Sequence, residues 1–451
     1  MTLLAFDRAL LPDGWAENVV VRFKDGVVQE VRAGDPGEFA EHRRGIAVPG
    51  MPNLHSHAFQ RGMAGLAERA ATGDDSFWTW RELMYRFLDR LSPDDIEAIA
   101  TLAYVEMAEA GFTSCVEFHY LHHDPSGTPY ANLAETAERI AAAAAASGVG
   151  LTLLPAFYRY GNFGGAQPEP GQRRFLNDPD RFARLLAASA RAIEPLPGAV
   201  LGVAPHSLRG VTPEDLRMVL AGAPPGPIHI HAAEQEREVA GCLAWSGRRP
   251  VEWLLEEMDV GQRWCLIHAT HMTGEETERL AQSGAVAGLC PVTEANLGDG
   301  IFRATDYRAA GGRFGIGTDS NVLIGVADEL RAVEYAQRLV HQRRNRLADP
   351  GTSVGRALFD PALEGGAQAS GRPVGAIAPG RRADFVVLDP GHPGIAGRNG
   401  DAVLDGWIFA SRLSPVREVW IGGVCLVEDG RHNLRDEAVA RFNATLSCML
   451  D

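Results

Sequence analysis

Lysine is all but missing from this chain: Lys24 is the only one in 451 residues, and arginine carries nearly all of the positive charge. Cysteine is also sparse, and the six present (Cys115, Cys242, Cys265, Cys290, Cys425 and Cys448) form no CxxC pair. That scatter excludes a disulfide framework and suits free thiols in a reducing cytoplasm. Basic patches are lacking too. The formal net charge of −15 has the wrong sign for a surface that neutralises phosphates, so nucleic acid is excluded as the main partner. The longest uncharged run, residues 140–157 (IAAAAAASGVGLTLLPAF), is divided by a Ser-Gly turn into an Ala-rich helix and a Leu-rich strand, and no membrane span is expected. The opening MTLLAFDRALLPDG has no basic segment leading into a long apolar one, so no signal peptide is expected. No GxGxxG follows the first strand-like run, which argues against a dinucleotide fold.

What is present is ordinary globular material, 45% apolar and 22% charged, long enough for one large α/β domain and a smaller one. The segment ENVVVRFKDGVVQEVRAG (17–34) alternates valine with polar residues around a Lys-Asp-Gly turn and reads as an antiparallel hairpin. Similar strands return in RRADFVVLD (381–389) and VREVWIGGVCLVEDG (416–430), so both termini are expected to build one small composite β-sandwich domain. Between them run GIAVPGMPNL, FTSCVEF, GLTLLPAF, AVLGVAP, PIHIH, WCLIH, AVAGLC and RFGIGTD, separated by helical patterns such as 132–145, 179–193 and 274–284. Eight strand–helix repeats, with strands apolar on both faces, predict an α/β (β/α)8 TIM-like barrel, with a doubly wound open sheet as the alternative. The expected boundaries give residues 1–48 and 362–451 to the sandwich domain, the latter ending in a helix, and 49–361 to the barrel.

Catalytic groups of such a barrel lie at the C-terminal ends of its strands. The first strand ends in His55-Ser56-His57, and strand alternation sends both imidazoles to the same side. HIHAAE ends the fifth strand with His231 and Glu234; LIHATH ends the sixth with His268; GIGTDS ends the eighth with Asp319. Any one of these histidines is explained equally well by packing. The set is not: histidines with one carboxylate make a three-His, one-Asp metal site with room for water. Barrel hydrolases that hold two metals commonly bridge them with a carbamylated lysine inside the barrel. Lys24 lies in the N-terminal hairpin, so one metal is expected.

PNLHSH, HIHAAE, LIHATH and GIGTDS, with the terminal GAIAPGRRADFVVLD, resemble the mononuclear deaminase branch of the amidohydrolase superfamily over essentially the whole chain. HAFQRGMAG (57–65), FWTWRELMYRF (77–87), VEFHYLHHD (116–124) and PHSLRG (205–210) look like the N-formimino-L-glutamate deiminases of histidine degradation. The resemblance implies His55, His57, His231 and Asp319 as ligands of one zinc per subunit, with iron as the alternative ion. It further implies that His268 holds the attacking water, Asp319 takes its proton and Glu234 passes a proton to the departing nitrogen. The products would be N-formyl-L-glutamate and ammonia, and the enzyme a cytoplasmic homodimer. A deaminase acting on a purine, pyrimidine or triazine ring is the competing reading, and a scaffold that has lost its chemistry is disfavoured by the complete set of ligands.

Substrate choice is expected at the rim, from Arg209 beside His206, Arg81 after the first strand, and Gln60 and Tyr120 near strand ends. Arginine grips carboxylates bidentately, so two arginines suit a small anionic substrate with two carboxylates. Arg209 ranks above Arg81, because its place at a strand end is better defined. His119, His122, His123 and His271 are expected to shape loops or to stand behind the metal ligands, His229 to face away from the metal, the FWTW tryptophans to pack their own segment or an interface rather than stack on a substrate, and Cys290 to be a small buried thiol.

Overall fold

The chain is described here by a computed structural model covering residues 1–34, 40–70, 73 and 75–450. Four strands come first: β1 (Thr2–Leu11), β2 (Gly14–Lys24), β3 (Val27–Ala33) and β4 (Glu41–Pro49). The barrel strands follow as β5 (Met51–Ser56), β6 (Phe112–His119), β7 (Gly150–Phe157), β8 (Val200–Leu201), β9 (Ala204–Pro205), β10 (Ile228–Ala232), β11 (Trp264–His268), β12 (Val286–Leu289) and β13 (Arg313–Ile316). The chain ends with β14 (Phe385–Leu388), β15 (Val416–Ile421), β16 (Val424–Glu428), β17 (Arg431–His432) and the helix Arg435–Leu450.

Two parallel runs, β5–β6–β7–β8 and β10–β11–β12–β13, close on each other. Parallel bridges Val203–Ile228 and Ser207–His231 join them on one side, and Ser56–Asp319 on the other. The barrel therefore closes with its fourth strand interrupted between β8 and β9; AVLGVAP is not one continuous strand. The predicted helices are well matched where their caps are explicit. Asp178 accepts from the Arg181 amide at 2.8 Å and Pro179 opens the helix Pro179–Ile193. Thr273 and Glu276 form a capping box for Gly274–Ser283, which stops at left-handed Gly284.

Both termini build the second domain. Its eight strands run in the order β17-β16-β15-β14-β4-β1-β2-β3, and the sheet folds over until the Val28 amide donates to the Arg381 carbonyl at 2.9 Å. Phe6, Phe23, Phe385 and Trp420 fill the enclosed space. Lys24 stands at the end of β2, in the terminal sheet, largely exposed beside Asp25.

Two further expectations change. GIAVPGMPNL is not one strand: it divides at Gly50, giving its first half to the terminal sheet and its second to the barrel. The turn runs so close to β6 that a Cβ on Gly50 would lie 2.2 Å from Thr113 Cγ2. The expected boundary at 361/362 falls inside the helix Val354–Ser370, whose Gly365 and Gly366 pack against Phe314 and Pro52 of the barrel. Among the described residues no helix is long and apolar enough to cross a membrane, and all six cysteines are free.

Candidate active site

At the C-terminal mouth of the barrel, His55 and His57 leave β5 with ring centroids 4.6 Å apart, and His231 at the end of β10 lies 4.9 Å from His55 and 5.5 Å from His57. His57 Nδ1 faces the Phe118 carbonyl at 2.9 Å and His231 Nδ1 faces that of His206 at 3.0 Å. A ring nitrogen facing a carbonyl carries the proton, which leaves Nε2 of both rings as a lone pair. Both ring nitrogens of His55 are buried without a hydrogen-bond partner. Burial is the main cause holding His55 down to about 3 and lowering His57 and His231, so the three rings are neutral. Neutral imidazoles with convergent lone pairs and an orphaned buried nitrogen fit a metal ion.

Asp319 completes this group. Its Oδ1 lies 3.4 Å from Nε2 of both His55 and His57. Although burial pushes the other way, the facing imidazoles of His55, His57 and His268 hold its carboxyl well below the usual carboxylate range. The backbone fixes it: the Asp319 amide donates to the His55 carbonyl at 3.0 Å and the His57 amide to the Asp319 carbonyl at 2.9 Å. Gly317 permits this approach, since a Cβ there would lie 2.8 Å from the His55 backbone. Non-glycine residues with positive φ cluster at these strand ends: Ala233 (52°), His268 (67°), Ala269 (47°), Asp319 (44°) and Asn321 (55°). Such conformations cost roughly 1–3 kcal/mol each and persist where surrounding contacts impose them.

Glu234 follows β10 and is buried beside Arg209 and His268. Arg209 Nη2 lies 3.4 Å from Glu234 Oε2, and His268 Nε2 lies 3.7 Å from Glu234 Oε1. Burial lifts the Glu234 pKa to about 7, against the pull of His268 and Arg209. Burial opposes the charged form of His268, but Glu234, Glu294 and Asp319 outweigh it and raise its pKa to about 10. Two carboxyls of one pocket are thus pushed apart, Asp319 ionised and Glu234 able to exchange a proton near neutrality. That separation suits paired acid–base chemistry.

The rim residues converge as well. Gln60 donates to the Tyr120 hydroxyl at 2.9 Å, leaving Gln60 Oε1 buried and unpartnered. His206 is neutral, lowered chiefly by burial and then by Arg209. Arg209 is buried with Nε unpartnered. Arg81 reaches the same cavity but pairs outward with Glu169 at 3.0 Å. The FWTW tryptophans do more than pack their own segment: Trp80 lines the cavity with Phe77, and Trp78 underlies the guanidinium groups of Arg81 and Arg237 at 4.7 and 4.4 Å. A larger cavity of ≈ 630 Å³ opens near the start of β13 and contains none of these groups, so size does not mark the site.

Five further histidines have hydrogen-bond partners of their own. His119, His122, His123, His229 and His271 face Thr136 Oγ1 and the carbonyls of Ala156, Leu176, Ala369 and Asp299 at 2.7–2.9 Å. Sequence reasoning missed four supports. Asn321 donates to Ser56 Oγ, the His57 carbonyl and the Asp319 carbonyl. Glu238 accepts from the amides of Ala233 and Glu234. Glu294 faces His268 Nδ1 at 3.2 Å and accepts the Cys290 amide. Glu117 accepts the Ala58 amide next to His57 at 2.8 Å. Glu117 at the end of FTSCVEF was the one with a usable signal, a carboxyl in an otherwise buried strand.

Comparison with known proteins places this geometry. Residues 46–426 match the amidohydrolase family, and residues 1–45 match the N-terminal domain of formimidoylglutamate deiminase HutF. A formimidoylglutamate deiminase of Pseudomonas aeruginosa is 53% identical, each chain covered in full. An 8-oxoguanine deaminase of the same organism is 28% identical, with 90% of this chain and 88% of that one covered. The crystal structure of an amidohydrolase from Brucella melitensis superposes with a TM-score of 0.97 at 57% identity, covering all of both chains. A zinc-bound adenosine deaminase from Xanthomonas campestris shares the fold, with a TM-score of 0.82 at 21% identity and 100% and 98% coverage. The chain belongs to the amidohydrolase family.

Proposed function

We propose that this chain is a hydrolytic deiminase that converts N-formimino-L-glutamate and water to N-formyl-L-glutamate and ammonia. The observation that carries the reading is the pairing of a buried cation, Arg209, with the histidine–carboxylate cluster in one cavity, in a chain 53% identical to a formimidoylglutamate deiminase from end to end. A buried arginine with a free Nε suits the carboxylate of an acyclic acid better than the uncharged face of a ring.

In this reading His55, His57, His231 and Asp319 hold one metal ion. Three nitrogens and one carboxylate suit zinc. An ion bound there supplies Lewis acidity and makes hydroxide accessible at neutral pH. Asp319 accepts the proton of the attacking water, and His268 orients that water through Nε2. Glu234 hydrogen-bonds the terminal amidine nitrogen and delivers a proton to it as the carbon becomes tetrahedral, so the nitrogen departs as ammonia. Arg209, Arg81, Gln60, Tyr120 and His206 bind the two carboxylates and orient the chain between them. Assembly as a cytoplasmic homodimer belongs to the same proposal; the exposed Leu339 and Val340 on the helix Val326–His341 offer an apolar face for a second copy.

The test is ammonia release by zinc-loaded protein from N-formimino-L-glutamate, beside adenosine, guanine and cytosine. Fast turnover of the amidine alone is expected; turnover of only a ring substrate overturns the assignment. Arg209→Met is expected to raise KM for the amidine about 10–100-fold, the worth of a charge-assisted contact of roughly 1.5–3 kcal/mol, with metal content unchanged. An unchanged KM removes Arg209 from the binding site.

A further inference from the structure

The two oxygens of Asp319 face different partners. Oδ1 points to His55 and His57, each 3.4 Å away, whereas Oδ2 lies 3.8 Å from His268 Nε2. Cys290 lies close to both His268 and Asp319. One donor atom from each of His268, Cys290 and Asp319 lies within 4.8 Å of the other two, and all three side chains are buried. His268 Nε2 has no hydrogen-bond partner. Cys290 is held in place through its amide, which donates to Glu294 at 2.8 Å. The proposed deimination uses His268 and Asp319 but has no role for the thiol.

We propose that His268, Cys290 and Asp319 form a second, inhibitory site for a thiophilic divalent cation such as Zn2+ or Cd2+, filled only when that ion is in excess. The inference rests on the reading of His55, His57, His231 and Asp319 as the first metal site, with which it shares the Asp319 carboxylate. A nitrogen, a sulfur and an oxygen donor suit a borderline or soft ion and disfavour Mg2+ and Ca2+. A carboxylate with one oxygen on each side is the usual bridge between ions roughly 3.5–4 Å apart. Binding breaks the Cys290 S–H bond and the N–H bond at His268 Nε2, and forms a sulfur–metal and a nitrogen–metal bond. Both protons leave to solvent, and nothing is oxidised or reduced. The site is weaker than the first, because it borrows a carboxylate already engaged and adds one thiolate. Filling it inhibits, because it takes His268 Nε2 and Asp319 Oδ2 and crowds Glu234 Oε1, which lies 3.7 Å from His268 Nε2.

Holoenzyme whose resident metal has been quantified is titrated with Cd2+, reading bound cadmium, released resident metal, the ultraviolet thiolate-to-cadmium charge-transfer band, and activity. One added equivalent is expected to bind with the band, without release of resident metal, and with activity falling at least about tenfold as the acid–base groups are engaged. Cys290→Ser is expected to keep the resident metal and turnover but lose the band, the added equivalent and the inhibition. Cys290→Ala repeats the test should the hydroxyl disturb packing, and Cys448→Ser, an exposed thiol, should leave the band unchanged. A band and second equivalent that persist in both Cys290 variants, no second equivalent at all, or cadmium that enters only as resident metal leaves would overturn the proposal. Protein that holds no resident metal even when supplied with zinc fails the first-site reading instead, and the shared-carboxylate site falls with it.

Discussion

Glu234→Gln is expected to leave the metal content unchanged while turnover falls about 10²–10⁴-fold, the usual worth of a positioned acid–base group. The substitution preserves shape. Its amide oxygen can still accept from Arg209, which lies 3.4 Å from the native carboxylate, and its backbone amide remains held by Glu238 at 3.1 Å. What it removes is the proton. Glu234 titrates near 7 because burial raises it, whereas glutamine exchanges no proton at any pH. Elemental analysis beside steady-state kinetics separates the roles: loss of metal together with activity would make Glu234 a ligand rather than an acid.

Asp319→Asn should be the more damaging change, with turnover down by at least about 10⁴-fold, the upper range for a lost base, and metal occupancy falling as well. Asp319 is placed to do two things, since its charge faces three imidazoles and its oxygens reach both sides of the site. Asparagine is the gentlest replacement for the backbone, because Asp319 has φ of 44° and asparagine tolerates the left-handed region. Far-ultraviolet circular dichroism of the metal-free forms should therefore match between variant and parent. A large difference there would mean that the lost activity reports misfolding rather than chemistry. Retention of full metal content and turnover would refute both roles.

The sequence displayed the groups proposed to carry chemistry more clearly than the groups that position them. His55, His57, His231, His268 and Asp319 stand at strand ends, where a two-residue alternation and the barrel repeat leave few places for them to point. Glu238 and Glu294 were not legible, because a glutamate in the first turn of a helix is the commonest response to the helix dipole. Only their contacts with the Glu234 amide and with His268 set them apart. Asn321 reads like any loop asparagine until three acceptors are seen around its Nδ2. The interrupted fourth strand escaped because AVLGVAP has the apolar run of a continuous one. The split of GIAVPGMPNL at Gly50 depends on a neighbouring strand that no local pattern reveals.

The composite terminal sheet sets an order on synthesis. β4 ends at Pro49, but β14, which pairs with it from Phe385 to Leu388, is made long after it. At roughly 5–20 residues per second the ribosome leaves that edge open for on the order of tens of seconds. The waiting stretch, Ile46, Ala47 and Val48, is apolar and fully buried in the finished protein. It is preceded by Glu41, His42, Arg43 and Arg44, charged or polar residues of the kind that discourage two open strands from joining. A chain halted before β14 would carry its barrel catalytic groups yet present a sticky strand to its neighbours, which makes the last part of translation the step at which this protein is most exposed to aggregation.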